Sequence, residues 1–224
     1  MEKNTKLEKF SVEKQTDRGE NLPDLYWNLG IPQKGEKLVI HPPKILETRV
    51  VFESRKLKVI EQDLEFSNGY RETWEYVELK SKGGVQVMPL KSDGKVVMVR
   101  EYRGAAQRYV LRFPTGSLEG EESPEQAALR ELREETGYTA RRLHLLKEQR
   151  SSSTYFRGVF SIYLALDLEF VGCRRDLGEC DMEVLELPLE EVFGMALRLE
   201  IESPQTVYSI LMLHHYQQQR KSFL

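Results

Sequence analysis

Glu131, Glu134 and Glu135 are the side chains whose type and spacing offer chemistry most directly. On a helix, offsets of three and four residues fall on one face, so these carboxylates crowd together. Their repulsion destabilises the helix unless cations intervene. Hard oxygen donors gathered beside a loop suit Mg²⁺, which keeps several waters and bridges substrate phosphate oxygens; Mn²⁺ accepts the same donors. The chemistry expected is metal-assisted attack of water on a diphosphate.

The acids sit in a fuller pattern: Gly116, then Glu122, then Arg130-Glu131-Leu132, Glu134-Glu135 and Gly137-Tyr138. Ser123-Pro124-Glu125-Gln126 opens the helix with an N-cap serine, a proline where no donor is needed and a capping-box glutamine. Gly137 closes it at the C-cap. Ala127 leaves room for the Gly116 turn, while Ala128, Leu129 and Leu132 anchor the helix in a core. Arg130, four residues before Glu134, is placed to orient that carboxylate. A solvated acidic helix is the ordinary reading of a Glu-rich segment. Seven specified positions at an average usage of ~6–7% coincide by chance in on the order of one in 10⁸ windows, which removes that reading here.

This spacing resembles the Nudix box, with Tyr138 replacing the usual aliphatic residue, and the resemblance covers roughly Gly83 to Gln219. It implies that Glu131 and Glu135 bind metal, that Glu134 is a further ligand or the base, and that the Thr115 carbonyl is another ligand. It implies loop support from Glu122, and it places Gly116 and Leu118 at the substrate. Arg100-Glu101-Tyr102-Arg103, Arg112-Phe113-Pro114-Thr115-Gly116 and Glu119-Gly120-Glu121 are similar to the ADP-ribose pyrophosphatase and nucleotide-sugar branch. That branch implies hydrolysis of ADP-ribose to AMP and ribose 5-phosphate. GDP- or UDP-sugars are the alternative substrates, and a non-catalytic metabolite sensor is the alternative of a different class. By the same resemblance Arg103 contacts the phosphates or terminal ribose, and Trp74 or Tyr76 stacks a base across a homodimer; core packing is the competing role for Trp74. Two departures bear on substrate: Arg112 stands where the branch carries Glu, and Ser151-Ser152-Ser153-Thr154 lacks its proline. A later acidic loop offers Asp176, Glu179, Asp181 and Glu183 as general base, of which Glu179, after Gly178, is preferred.

The elements that must position these groups read as an α/β fold: a Nudix-type α/β/α sandwich with a mixed sheet, preceded by an N-terminal antiparallel β-hairpin region. Residues 1–43 form a polar extension and irregular connection, 44–82 a β-rich dimerisation region, and 83–220 the catalytic domain. Strand-like runs from Thr48 to Phe66 and Tyr70 to Leu79 flank Asn68-Gly69, a hairpin turn signal. A second pair, Val85 to Leu90 and Lys95 to Tyr102, flanks Asp93-Gly94. Gln107 to Phe113, Arg142 to Gln149, Val159 to Asp167 and Glu183 to Leu187 read as further strands, and Leu189 to Leu199 and Pro204 to Gln219 as helices. The adjacent His214 and His215 point about 100° apart on the last helix and are expected to be structural.

Across 224 residues, 40% are hydrophobic and 31% charged, an ordinary globular composition. A net charge of −3 argues against polymeric nucleic acid as partner. Only Cys173 and Cys180 occur, too few for a disulfide framework, and the first twenty residues are too polar for a secretory signal or membrane anchor. A cytoplasmic enzyme acting on a small nucleoside diphosphate derivative, with no membrane partner, is the expectation.

Overall fold

The computed structural model describes residues 41–173 and 181–221. Its centre is a four-stranded mixed sheet in the order β7 (Thr115–Ser117), β4 (Gly84–Pro89), β10 (Val159–Phe170), β8 (Tyr138–Arg150). β4 and β10 run parallel, and the other neighbours are antiparallel. Side chains alternate across a strand, and both central strands use that alternation to face two cores. Val85, Val87, Tyr163 and Ala165 pack with Ala127, Ala128 and Leu132 of α1 (Pro124–Thr136). Met88, Ile162, Leu164 and Leu166 face the other way, onto α2 (Leu189–Leu197) and α3 (Pro204–Lys221) through Leu189, Val192, Ile210 and Leu213. The result is the α/β/α sandwich expected. A smaller sheet, β11 (Glu183–Pro188), β5 (Lys95–Arg103) and β6 (Arg108–Arg112), closes the second core.

Two strand expectations need correction. The run from Thr48 to Phe66 is two strands, β1 (Lys44–Glu53) and β2 (Leu57–Glu65), so the N-terminal region is a three-stranded meander with β3 (Arg71–Leu79). The break is a serine turn: Ser54 Oγ accepts from the Leu57 N–H at 3.2 Å and closes the reversal without glycine or proline. The next turn is as expected, with Gly69 at φ +81° and Asn68 Oδ1 accepting from the Tyr70 N–H at 3.0 Å. The second correction concerns β4 and β5, which share only the Leu90–Val96 bridge and then separate into different sheets. Each finds a long partner elsewhere, β4 on β10 and β5 on β11.

The short β9 (Phe156–Arg157) ties the N-terminal sheet to the rest of the fold by parallel pairing with β3. Among the described residues no helix is long and apolar enough to cross a membrane.

Candidate active site

Helix α1 begins and ends as its sequence dictates. Ser123 and Gln126 form a complete capping box, and Gly137 adopts φ 79° at the C-cap, donating to the Arg133 carbonyl. A side chain at Gly137 would lie 2.7 Å from the Phe170 ring, so neither its conformation nor its space tolerates another residue. Fixed at both ends, the helix carries its acids toward β7 at Thr115 and Gly116.

Glu135 is the most deeply placed, at 2% exposure. Arg112 holds both its oxygens, Nη1 at 3.0 Å and Nη2 at 2.7 Å, and the Thr115 N–H donates to Oε2 at 3.3 Å. The same guanidinium binds Glu101 through Nε at 2.7 Å and the Phe113 carbonyl at 3.0 Å. Burial pushes the Glu135 carboxyl up to about 7, because Arg112, shared with Glu101, offsets only part of the desolvation and Glu131 adds repulsion. Burial also opposes the Arg112 charge, but Glu135 and Glu101 more than compensate and keep the guanidinium protonated.

Arg130 gathers the remaining acids. It donates to Glu122 at 2.7 and 3.1 Å, to Glu131 at 2.8 Å, to Glu134 at 2.9 Å and to the Ser117 carbonyl at 3.0 Å. Glu122 in turn accepts the Glu119 N–H at 2.8 Å, tying the loop to the helix, and its bond to Arg130 holds its pKa below the usual carboxylate range. Glu131 lies against the loop so closely that a Cβ on Gly116 would be 1.7 Å from its Oε1. The repulsion among helix acids is thus relieved by two guanidiniums.

Among the described residues no three Asp, Glu, His or Cys side chains gather closely enough to hold an ion, each acid being turned onto an arginine. The donor set nonetheless suits a hard divalent cation. It consists of carboxylate and carbonyl oxygens, and Glu131 and Glu135 reach the same short strand, β7, one at Gly116 and one at Thr115. Beside Thr115 a cavity of about 320 Å³ is lined by Arg103, Arg108 and Arg112 together with Gln86 and Thr206. Burial and the facing Arg112 charge lower the Arg103 pKa, and its Nη1 lies 3.2 Å from Glu101. Carboxylates and guanidiniums therefore meet around Thr115 and Gly116.

The profile of the NUDIX domain matches residues 80–204, and that of the NudE-type Nudix hydrolase N-terminal domain matches residues 43–75. The chain belongs to the Nudix hydrolase family. It is 32% identical to an ADP-ribose pyrophosphatase of Bacillus subtilis, over 76% of this chain and 91% of that one. It is 36% identical to the ADP compounds hydrolase NudE of Escherichia coli, over 58% and 69%. A crystal structure of an ADP compounds hydrolase superposes with TM-score 0.70 at 27% identity, covering 81% of this chain and 97% of that chain. This protein is accordingly a Nudix hydrolase, an enzyme.

Other residues singled out from this Nudix sequence fall elsewhere. Leu118 packs its side chain against the α1 core, and its N–H donates to the Gly83 carbonyl at 3.0 Å. Trp74 is 44% exposed, so it is no core residue; it contacts Phe66 and lines a separate cavity with Arg49, Glu61 and Tyr155. That cavity, about 600 Å³, contains none of the α1 acids. Tyr76 accepts a bond from Arg157 at 2.9 Å. Glu179 and Asp176 lie outside the described residues, Asp181 is exposed, and Glu183 pairs with Arg100 at 2.5 Å on the β5–β11 edge. His214 stacks on Phe193 at 3.8 Å, a packing role.

Sequence reasoning overlooked Arg112 and Glu101 as a unit. Val99 faces Arg112 and Glu101 faces Val110 across β5 and β6, which makes Glu101 and Arg112 diagonal neighbours on one face. The signal available was a charged residue of each sign on the same face of two adjacent strands, next to the acidic loop.

Proposed function

We propose that this Nudix enzyme hydrolyses the diphosphate bridge of an ADP derivative, with ADP-ribose giving AMP and ribose 5-phosphate. The observation that carries this reading is the convergence of the buried Glu131 and Glu135 on Thr115 and Gly116, at the edge of an arginine-lined cavity. The relatives whose names specify ADP-ribose or ADP compounds support the adenine nucleotide over GDP- or UDP-sugars.

Glu131, Glu135 and the Thr115 carbonyl would hold Mg²⁺, which when bound neutralises the diphosphate and lowers the pKa of a water. Arg112 fixes the rotamer of Glu135 through two hydrogen bonds. Arg130 does the same for Glu131 and Glu134. Arg103 and Arg108 face the phosphates and orient the bridge for in-line attack. Water forms the new O–P bond while the bridging P–O bond breaks; Glu134, the more accessible acid, takes the proton, and the departing phosphate leaves as the second monoester. Homodimerisation through the N-terminal sheet is supported by Ile45, Val50 and Phe52, apolar β1 residues that are more than half exposed. A cytoplasmic setting agrees with the free Cys173 and a nucleotide substrate.

Glu135→Gln tests the site. Mg²⁺-dependent AMP release from ADP-ribose is expected to fall at least 100-fold, with the circular dichroism spectrum retained. Undiminished turnover would remove Glu135 from the mechanism.

A further inference from the structure

Helix α3 brings a buried hydroxyl to the arginine-lined cavity beside Thr115. Its first turn is capped by Ser203, whose Oγ accepts the Thr206 N–H at 3.3 Å and whose carbonyl accepts the Val207 N–H at 3.0 Å. Thr206 is 1% exposed and lines the cavity, and its Oγ1 is buried with no hydrogen-bond partner among the described residues. Helical threonines commonly donate this hydroxyl to a carbonyl of the preceding turn. A buried one left open costs stability unless a ligand completes it. We propose that Thr206 is a further substrate-binding residue whose hydroxyl donates to a phosphate oxygen of the diphosphate, an assignment that rests on the proposed hydrolysis of an ADP derivative.

The fold aims the group there. Gln86 is the register partner of Thr115 across β4 and β7, and its side-chain oxygen accepts from Ser209 Oγ on α3. Both residues are buried, so this bond fixes α3 against the strand next to Thr115. Thr206 stands three residues before Ser209, on the same helix face and one turn nearer the N-terminus. Gln86 and Ser209 satisfy one another, while Thr206 Oγ1 stays open.

The surroundings suit an anion. Gln205 Nε2, a second buried donor without a partner among the described residues, belongs to a residue lining the same cavity. The N-terminal end of this 18-residue helix adds partial positive charge. Arg112 is not free to supply the contact, because its donors are taken by Glu101, Glu135 and the Phe113 carbonyl. Glu202, the acid in the cavity wall, is paired with Arg108. A phosphate beside Thr115 thus meets neutral donors from α3 in addition to the arginines. The match to the NUDIX domain ends at residue 204, so Thr206 lies outside that shared pattern.

Thr206→Val and Thr206→Ser separate this assignment from a structural role, since valine keeps the shape without the hydroxyl and serine keeps the hydroxyl. In Thr206→Val the KM for ADP-ribose is expected to rise about tenfold with kcat within threefold, and ADP, measured by calorimetry with Mg²⁺, to bind about tenfold more weakly. Its Tm is expected to stay level or rise, because no internal hydrogen bond is lost. Thr206→Ser is expected to stay within twofold of wild type in KM and ADP affinity. A Thr206→Val enzyme whose KM and ADP affinity lie within twofold of wild type overturns the assignment, and so does an equal loss of affinity in Thr206→Ser. If Thr206→Val loses ADP affinity as expected but the wild-type chain releases no AMP from ADP-ribose, the assignment stands and the hydrolase reading fails.

Discussion

Replacing Arg112 by methionine isolates the strongest electrostatic commitment in the fold. Methionine has similar length and no charge, so packing is largely kept while the guanidinium contacts to Glu135, Glu101 and the Phe113 carbonyl disappear. Arg112 is 6% exposed and Glu135 2%, so solvent cannot replace what is lost. Removing one partner of such a buried pair costs about 3–5 kcal/mol, far above the ~0–1 kcal/mol of an exposed bridge. For a chain of this size that is roughly a 10 °C fall in Tm. Most of the cost is the orphaned carboxylate, and Arg112→Met combined with Glu135→Gln is therefore expected to recover more than half of it. Thermal and urea unfolding of the wild type, the two single variants and the double variant, without divalent metal, provide the measurement. A single variant within 1 kcal/mol of wild type, or a double variant no more stable than the single, refutes the assignment of Arg112 as counter-ion to Glu135.

Two further outcomes follow from packing. Gly116→Ala places a methyl group where Glu131 Oε1 lies 1.7 Å away, so the carboxylate must move off the loop; turnover is expected to fall at least 100-fold in steady-state assays while Tm changes by only a few degrees. Phe52→Glu puts a charge on the exposed apolar strand β1, and light scattering is expected to find a monomer in place of a dimer, with the wild-type mass in the variant counting against an interface there.

What could be read from the sequence was mostly what is encoded locally. The start and stop of α1 depend on Ser123, Gln126 and Gly137 acting within a few residues, and the β2–β3 turn on Asn68 and Gly69. The turn at Ser54 escaped because a side-chain hydroxyl makes it, with no glycine or proline to announce it. Asp93-Gly94 marked a reversal correctly but could not show that β4 and β5 leave for different sheets, since that is decided by β10 and β11 some seventy or more residues away. The acids Glu131 and Glu135 were legible from helical spacing. Arg112, the counter-ion of Glu135, was not, because it reaches the helix from strand β6, 23 positions distant in the chain.

The charge balance of this site bears on why an enzyme, and not a passive sensor, is the better account. Glu101 and Glu135 pair with Arg103 and Arg112 in one set of ion pairs, and Glu122, Glu131 and Glu134 pair with Arg130 in another. When every acid is ionised, the five carboxylates exceed the three guanidiniums by two negative charges. A diphosphate approaching Thr115 brings further negative charge, and like charges at ~4 Å in a partly screened site repel by about 4 kcal/mol per pair. A pocket selected only to bind such an anion has no use for this acidic excess, which weakens the complex. On the proposed reading the excess becomes useful, because Glu131 and Glu135 would hold a divalent cation while Arg103 and Arg108 line the cavity beside Thr115. The same residues that oppose binding in the metal-free chain are those that would hold the cation in the proposed in-line hydrolysis.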